Sequence, residues 1–165
     1  MTSDLLVPLL ITVQRHHLDP HPQGAQMARH FREQIAQARA QGLPVILVQW
    51  DGGLFADTPD TFSRDWVLFP DIRAEEGDLL VRAGTTDPFA SKLPAETADP
   101  AHTAPTADRT LADHLKAQGW THLEVLALPE TPELAATLAA AQQHGLDLRV
   151  PEQTAAVPDT AQQTA

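Results

Sequence analysis

Apolar residues in this chain fall into short, nearly unbroken runs, separated by stretches in which they recur every three or four positions. The first run, Leu5 to Val13 (LLVPLLITV), reads as a strand buried on both faces; Pro8 disrupts its start, so the strand is expected over Leu9 to Val13. After the turn-rich DPHPQG at Asp19 to Gly24, Met27, Phe31, Ile35 and Ala38 share one face at helical spacing, and Gly42 with Pro44 closes that helix. PVILVQW (Pro44 to Trp50) is a second buried strand, GDLLVRAG (Gly77 to Gly84) a third, HLEVLAL (His122 to Leu128) a fourth and LDLRV (Leu146 to Val150) a fifth.

Between the third and fourth strands, Lys92 to Pro105 is rich in Ala, Pro and Thr without periodicity and reads as an irregular insertion. A helix capped by Thr106 follows, with Leu111 and Leu115 inward and Gly119 at its end. The stretch LPETPELAATLAAAQQHG (Leu128 to Gly145) predicts another helix, with Thr131 as N-cap, Pro132 at the first helical position and Glu133 in the first turn, where the helix dipole favours a carboxylate.

Strands alternating with helices of about three turns predict right-handed crossovers. The fold class is therefore α/β: a three-layer, Rossmann-like architecture with a mainly parallel sheet of five or six strands and helices on both faces. A chain of 165 residues is expected to form one domain, here 1–150, and the last residues, 151–165, have the composition of a flexible tail.

Charge narrows the function. With 22 acidic against 11 basic residues and a net charge of −11, the chain repels phosphate backbones and anionic lipid, so no nucleic acid and no membrane is expected as partner. No run of about 18 apolar residues occurs, and the start lacks a basic region followed by a long apolar stretch, which predicts a cytoplasmic protein. The absence of cysteine removes disulfides, thiolate metal sites and thiol nucleophiles.

In such sheets ligands bind past the carboxyl ends of the strands, where the strand order reverses. That directs attention to Thr12 to His17, Asp51 to Phe55, Arg82 to Phe89 and Pro129 to Glu133. RHHLDPH carries His16, His17, Asp19 and His21 just past the first strand, and Asp51 follows the second; imidazole and carboxylate suit zinc or a similar ion, making His16, His17 and Asp51 the candidate ligands. Histidines in polar loops are ordinarily solvated, and the sequence predicts no cofactor. Gln14, Trp66 and Phe89 are candidate pocket residues, although aromatics packed over a sheet edge are ordinarily core. His144 suits a helix end and is assigned no function.

At these positions the chain resembles the isochorismatase-like cysteine hydrolases, which include nicotinamidases. LLITVQ is similar to the family's LLVIDVQ, QARAQGLPVILVQW to its AAR..G.PV..V, and WVLFPDIRAEEGDLLVRAGTTDPF follows its Pro-acidic turn, GD.vv.K and later Phe; Thr137, Ala141 and Gly145 fall on the helix that bears the family's nucleophile. The resemblance implies an aspartate base after the first strand, a lysine after the third and a cysteine opening the helix after the fourth. Here those positions hold Thr12, Arg82 and Glu133. A threonine hydroxyl is far too weak a base, arginine stays charged, and a carboxylate facing an oxyanion hole would repel the developing charge. The family's nicotinamidases follow their second strand with an aspartate and, two residues on, a histidine, whereas Asp51 is followed by Gly52 and Gly53.

The resemblance thus predicts a protein with its hydrolase triad replaced: a non-catalytic binding, regulatory or oligomer-forming module and a homodimer. The alternative is a small amide, ester or enol-ether hydrolase of altered chemistry, using Glu133 or a bound metal. Arg82 is expected to pair with Glu133 across the former pocket, or to hold a small acidic ligand.

Overall fold

The computed structural model describes residues 6–55, 58–93 and 109–151. The Thr106 cap, the 94–105 part of the irregular insertion and the 152–165 tail lie outside the described residues. Strand β1 (Val7–Leu10) leads through a one-turn helix α1 (Arg15–Leu18) to α2 (Gly24–Ala40) and β2 (Ile46–Trp50). A long loop containing a 3-10 turn at Arg64–Trp66 then enters β3 (Leu79–Ala83). Helix α3 (Leu111–Gln118), β4 (His122–Leu126), α4 (Pro132–His144) and β5 (Asp147–Arg149) complete the order.

All four strand pairings are parallel, and the sheet order is β3-β2-β1-β4-β5. Five strands form among the described residues, and their side chains alternate between the two faces of the sheet. Leu9, Ile46, Val48, Leu123 and Val125 face α3 and α4, packing with Leu111, Leu115, Ala140 and Ala141. Leu10, Leu47 and Leu126 face α2, whose Met27, Phe31, Ile35 and Ala38 are all buried, as their spacing predicts.

The boundaries shift where local chemistry intervenes. β1 begins at Val7 and includes Pro8, because the ladder to β2 starts only at Leu9, past the proline, while the ladder to β4 runs from Val7 to Leu10. Ile11, Thr12 and Val13 stay fully buried beyond the strand end. The caps follow the sequence closely at α4: the Thr131 side chain accepts the Leu134 N–H, Pro132 opens the helix, and Gly145 closes it with a left-handed φ of 71°. At α3 the cap is Thr110, whose hydroxyl accepts the Asp113 N–H at 3.1 Å.

Helix α1 falls where a loop is expected. It forms because Gln14 and His17 bond to each other: the Gln14 carbonyl accepts the His17 N–H at 3.0 Å, and His17 Nδ1 accepts the Gln14 N–H at 3.3 Å. Its end abuts α2 at Gly24, where a Cβ would fall 1.9 Å from the Leu18 carbonyl oxygen. None of the helices among the described residues is long and apolar enough to cross a membrane.

Candidate functional site

In this order β1 and β4 are neighbours, and the chain leaves β1 toward β2 but arrives at β4 from β3. The strand order therefore reverses there, and the segments beyond their carboxyl ends, Ile11 to Leu18 and Ala127 to Glu133, face one another.

Three interactions lock those segments together. The Thr12 hydroxyl, fully buried, accepts the Leu128 N–H at 2.8 Å, joining the end of β1 to the end of β4. Gln14, also fully buried, donates from Nε2 to the carbonyls of Trp50 (3.2 Å) and Trp66 (2.7 Å), and its Oε1 accepts the Trp50 N–H (2.8 Å). A short antiparallel bridge between Gln14 and Leu68 holds the β2–β3 loop over the same place. Gln14 is thus a structural clamp with its side chain fully engaged, which corrects its expected role as a pocket residue.

The third interaction is a buried pair. His17 Nε2 lies 2.9 Å from Glu133 Oε2, with both side chains 5% exposed. His17 Nδ1 accepts the Gln14 backbone N–H at 3.3 Å. With the Nδ1 lone pair occupied, the ring proton of neutral His17 resides on Nε2, which donates to the Glu133 carboxylate. Burial is the largest single influence on Glu133 and pushes its pKa up. The His17 hydrogen bond and charge, its own backbone N–H and the charge of His16 outweigh that, and hold the carboxyl below its ordinary value. Glu133 is therefore an anion at neutral pH.

His16 stands beside this pair, its ring centroid 3.9 Å from that of His17. Its Nε2 is buried and has no hydrogen-bond partner among the described residues. Burial and the neighbouring His17 pull its pKa down to about 4 against the attraction of Glu133, so the ring is neutral at pH 7. One ligand atom from each of His16, His17 and Glu133 lies within 4.8 Å of the other two.

The expected pairing of Arg82 with Glu133 is overturned. β3 and β4 are separated by β2 and β1, so about 14 Å of sheet lies between them. Alternation on β3 also turns Leu79, Val81 and Ala83 into the core and Arg82 outward. Arg82 instead meets Asp51 at 3.3 Å and lies over the rings of Phe62 and Trp66, 5.0 Å from each centroid. Asp51, expected near the histidines, is engaged there, and Glu133 takes the place beside His16 and His17 that Asp51 was expected to fill.

Trp66 and Phe89 pack against different neighbours. Trp66 packs under Arg82 and against Phe62, whereas Phe89 is in the core on the α3/α4 side, against His144. Both are buried, as aromatics over a sheet edge ordinarily are. His144 has a partner the sequence did not reveal: its Nε2 is 2.8 Å from Asp87 Oδ2.

The arrangement has defined chemical limits. His17 Nδ1 is occupied by the Gln14 N–H, and its Nε2 faces a carboxylate. The Thr12 hydroxyl is bonded to the backbone, and Arg82 is on another part of the sheet. Among Thr12, Arg82 and Glu133, only Thr12 and Glu133 belong to the segments that meet at the strand reversal.

Comparison with known proteins gives a fold. No family model matches the chain, and no curated protein matches it. Solved structures do: an isochorismatase-family protein from Burkholderia thailandensis is similar at TM-score 0.67 and 17% identity, over 94% of this chain and 80% of its own. A protein from Chromobacterium violaceum described as a hydrolase of the isochorismatase family aligns at TM-score 0.65 and 23% identity, over 94% of this chain and 73% of that one. N-carbamoylsarcosine amidase from Thermoplasma acidophilum aligns at TM-score 0.61 and 18% identity, covering 91% and 84%. The chain has the fold of the isochorismatase-family hydrolases.

Proposed function

We propose that this chain is a non-catalytic protein on the isochorismatase-family fold, acting as a binding, regulatory or oligomer-forming module. The observation that supports the reading most is the buried Glu133–His17 pair at the start of α4. If that helix start corresponds to the family's nucleophile position, as the sequence resemblance implies, an anionic carboxylate already held by an imidazole N–H occupies it. The helix N-terminus, the natural place to stabilise a developing oxyanion, is then occupied at neutral pH by a fixed negative charge. Neither Thr12 nor Arg82 supplies a base at neutral pH.

Turnover assays on small amides, esters and enol ethers test this. The expected result is no rate above the uncatalysed reaction; turnover abolished by Glu133→Gln would overturn the reading and favour a hydrolase of altered chemistry.

A further inference from the structure

His16, His17 and Glu133 are not accounted for by folding alone. His17 and Glu133 satisfy one another, but His16 Nε2 is buried without a hydrogen-bond partner among the described residues, which is a cost a fold ordinarily avoids. Its ring is nonetheless packed 3.9 Å from His17, beside a buried carboxylate. Two imidazoles and one carboxylate, from two segments brought together by the strand reversal, form a donor set suited to zinc and similar divalent ions.

The geometry points to a divalent transition-metal site formed by His16, His17 and Glu133. Metal–nitrogen and metal–oxygen bonds of about 2.0–2.2 Å at tetrahedral angles place ligand atoms about 3.3 Å apart. The His17–Glu133 pair at 2.9 Å needs to open by a few tenths of an ångström, and the third ligand, within 4.8 Å, to move in by roughly 1.5 Å at most. Side-chain rotation covers both. His16 is the least buried of the three. Three protein ligands leave the fourth position to water or a small anion.

His17 sets a condition on binding. An ion on Nε2 needs the lone pair there, so the ring proton must move to Nδ1, and the 3.3 Å bond from the Gln14 N–H must break. That bond is long for its type and is the contact in the cluster that most readily gives way. Metal binding is therefore coupled to a change of tautomer at His17 and to loosening of the α1 cap.

This inference goes beyond the proposed function and does not depend on it. The test uses the tag-free full chain, titrated with Zn²⁺ and separately with Co²⁺. One ion per chain is expected, with the visible spectrum of four-coordinate cobalt and a shift of the His17 ring nitrogen resonances from the Nε2–H to the Nδ1–H form. Affinity falls at least tenfold in Glu133→Gln and in His16→Asn. The second variant removes no hydrogen bond to His16 Nε2 and so reports on the site if the first fails to fold. His122→Asn, altering an exposed histidine at the far end of β4, leaves binding unchanged. Zinc binding that persists in His16→Asn, or no change at the His17 ring, overturns the site. Zinc-dependent turnover lost in His16→Asn would keep the site and overturn the non-catalytic reading instead.

Discussion

At the scale of single residues, His16 and Glu133 decide how the protein answers to pH. The His16 imidazole has a folded pKa of about 4 against an ordinary 6.5, so as pH falls below 6.5 the unfolded chain takes up a proton that the folded chain refuses. Glu133 is held below its ordinary value, so its contribution is present above pH 4.5 and is lost as pH falls through the lower folded value. Both effects have the same sign: stability of the metal-free protein declines on acidification, from His16 between about 6.5 and 4 and from Glu133 below 4.5. Melting temperatures measured from pH 7.5 to 4 should fall in the wild type and fall less steeply in His16→Asn; parallel curves would contradict the assignment. The residue chemistry was partly legible from the sequence. Glu133 as a first-turn carboxylate and the histidines as candidate ligands both stand out there. Their meeting does not, because it depends on β1 and β4 being neighbours, and strand order is not written in local periodicity.

Elements with strong local signals form where the sequence places them. The α2 face, the α4 cap and strands β2, β3 and β4 each combine periodicity with capping or breaking residues that agree, whereas β1 begins two residues before its expected start. Helix α1 escapes such a reading because one turn has no periodicity. It depends on reciprocal bonds between Gln14 and His17 and on close approach to Gly24. These two kinds of support should separate in mutants. Thr131→Ala removes one cap bond and should cost about 1 kcal/mol in denaturant unfolding. Gly24→Ala drives a methyl against the Leu18 backbone and should cost more, about 1–3 kcal/mol, with the loss concentrated in faster amide exchange across α1. Equal, uniform losses from both would argue against that close approach.

On the scale of the whole molecule, the fold places the carboxyl ends of its five parallel strands at one edge and lets two of them, β1 and β4, define the site. Arg82 lies on the edge strand, outside that centre, which is why charge complementarity alone misassigned its partner. Its pair with Asp51 is exposed on both sides, at 45% and 33%, and belongs to the class that contributes at most about 1 kcal/mol. The Glu133–His17 pair is buried, and breaking one partner of such a pair costs about 3–5 kcal/mol. The central claim, that Glu133 closes the site with His17, is tested most directly by double-mutant cycles in denaturant unfolding, pairing Glu133→Gln with His17→Phe and, separately, with Arg82→Met. A coupling above about 1 kcal/mol in the first cycle and additivity within about 0.5 kcal/mol in the second is the predicted result. Additivity with His17 together with coupling to Arg82 would contradict it.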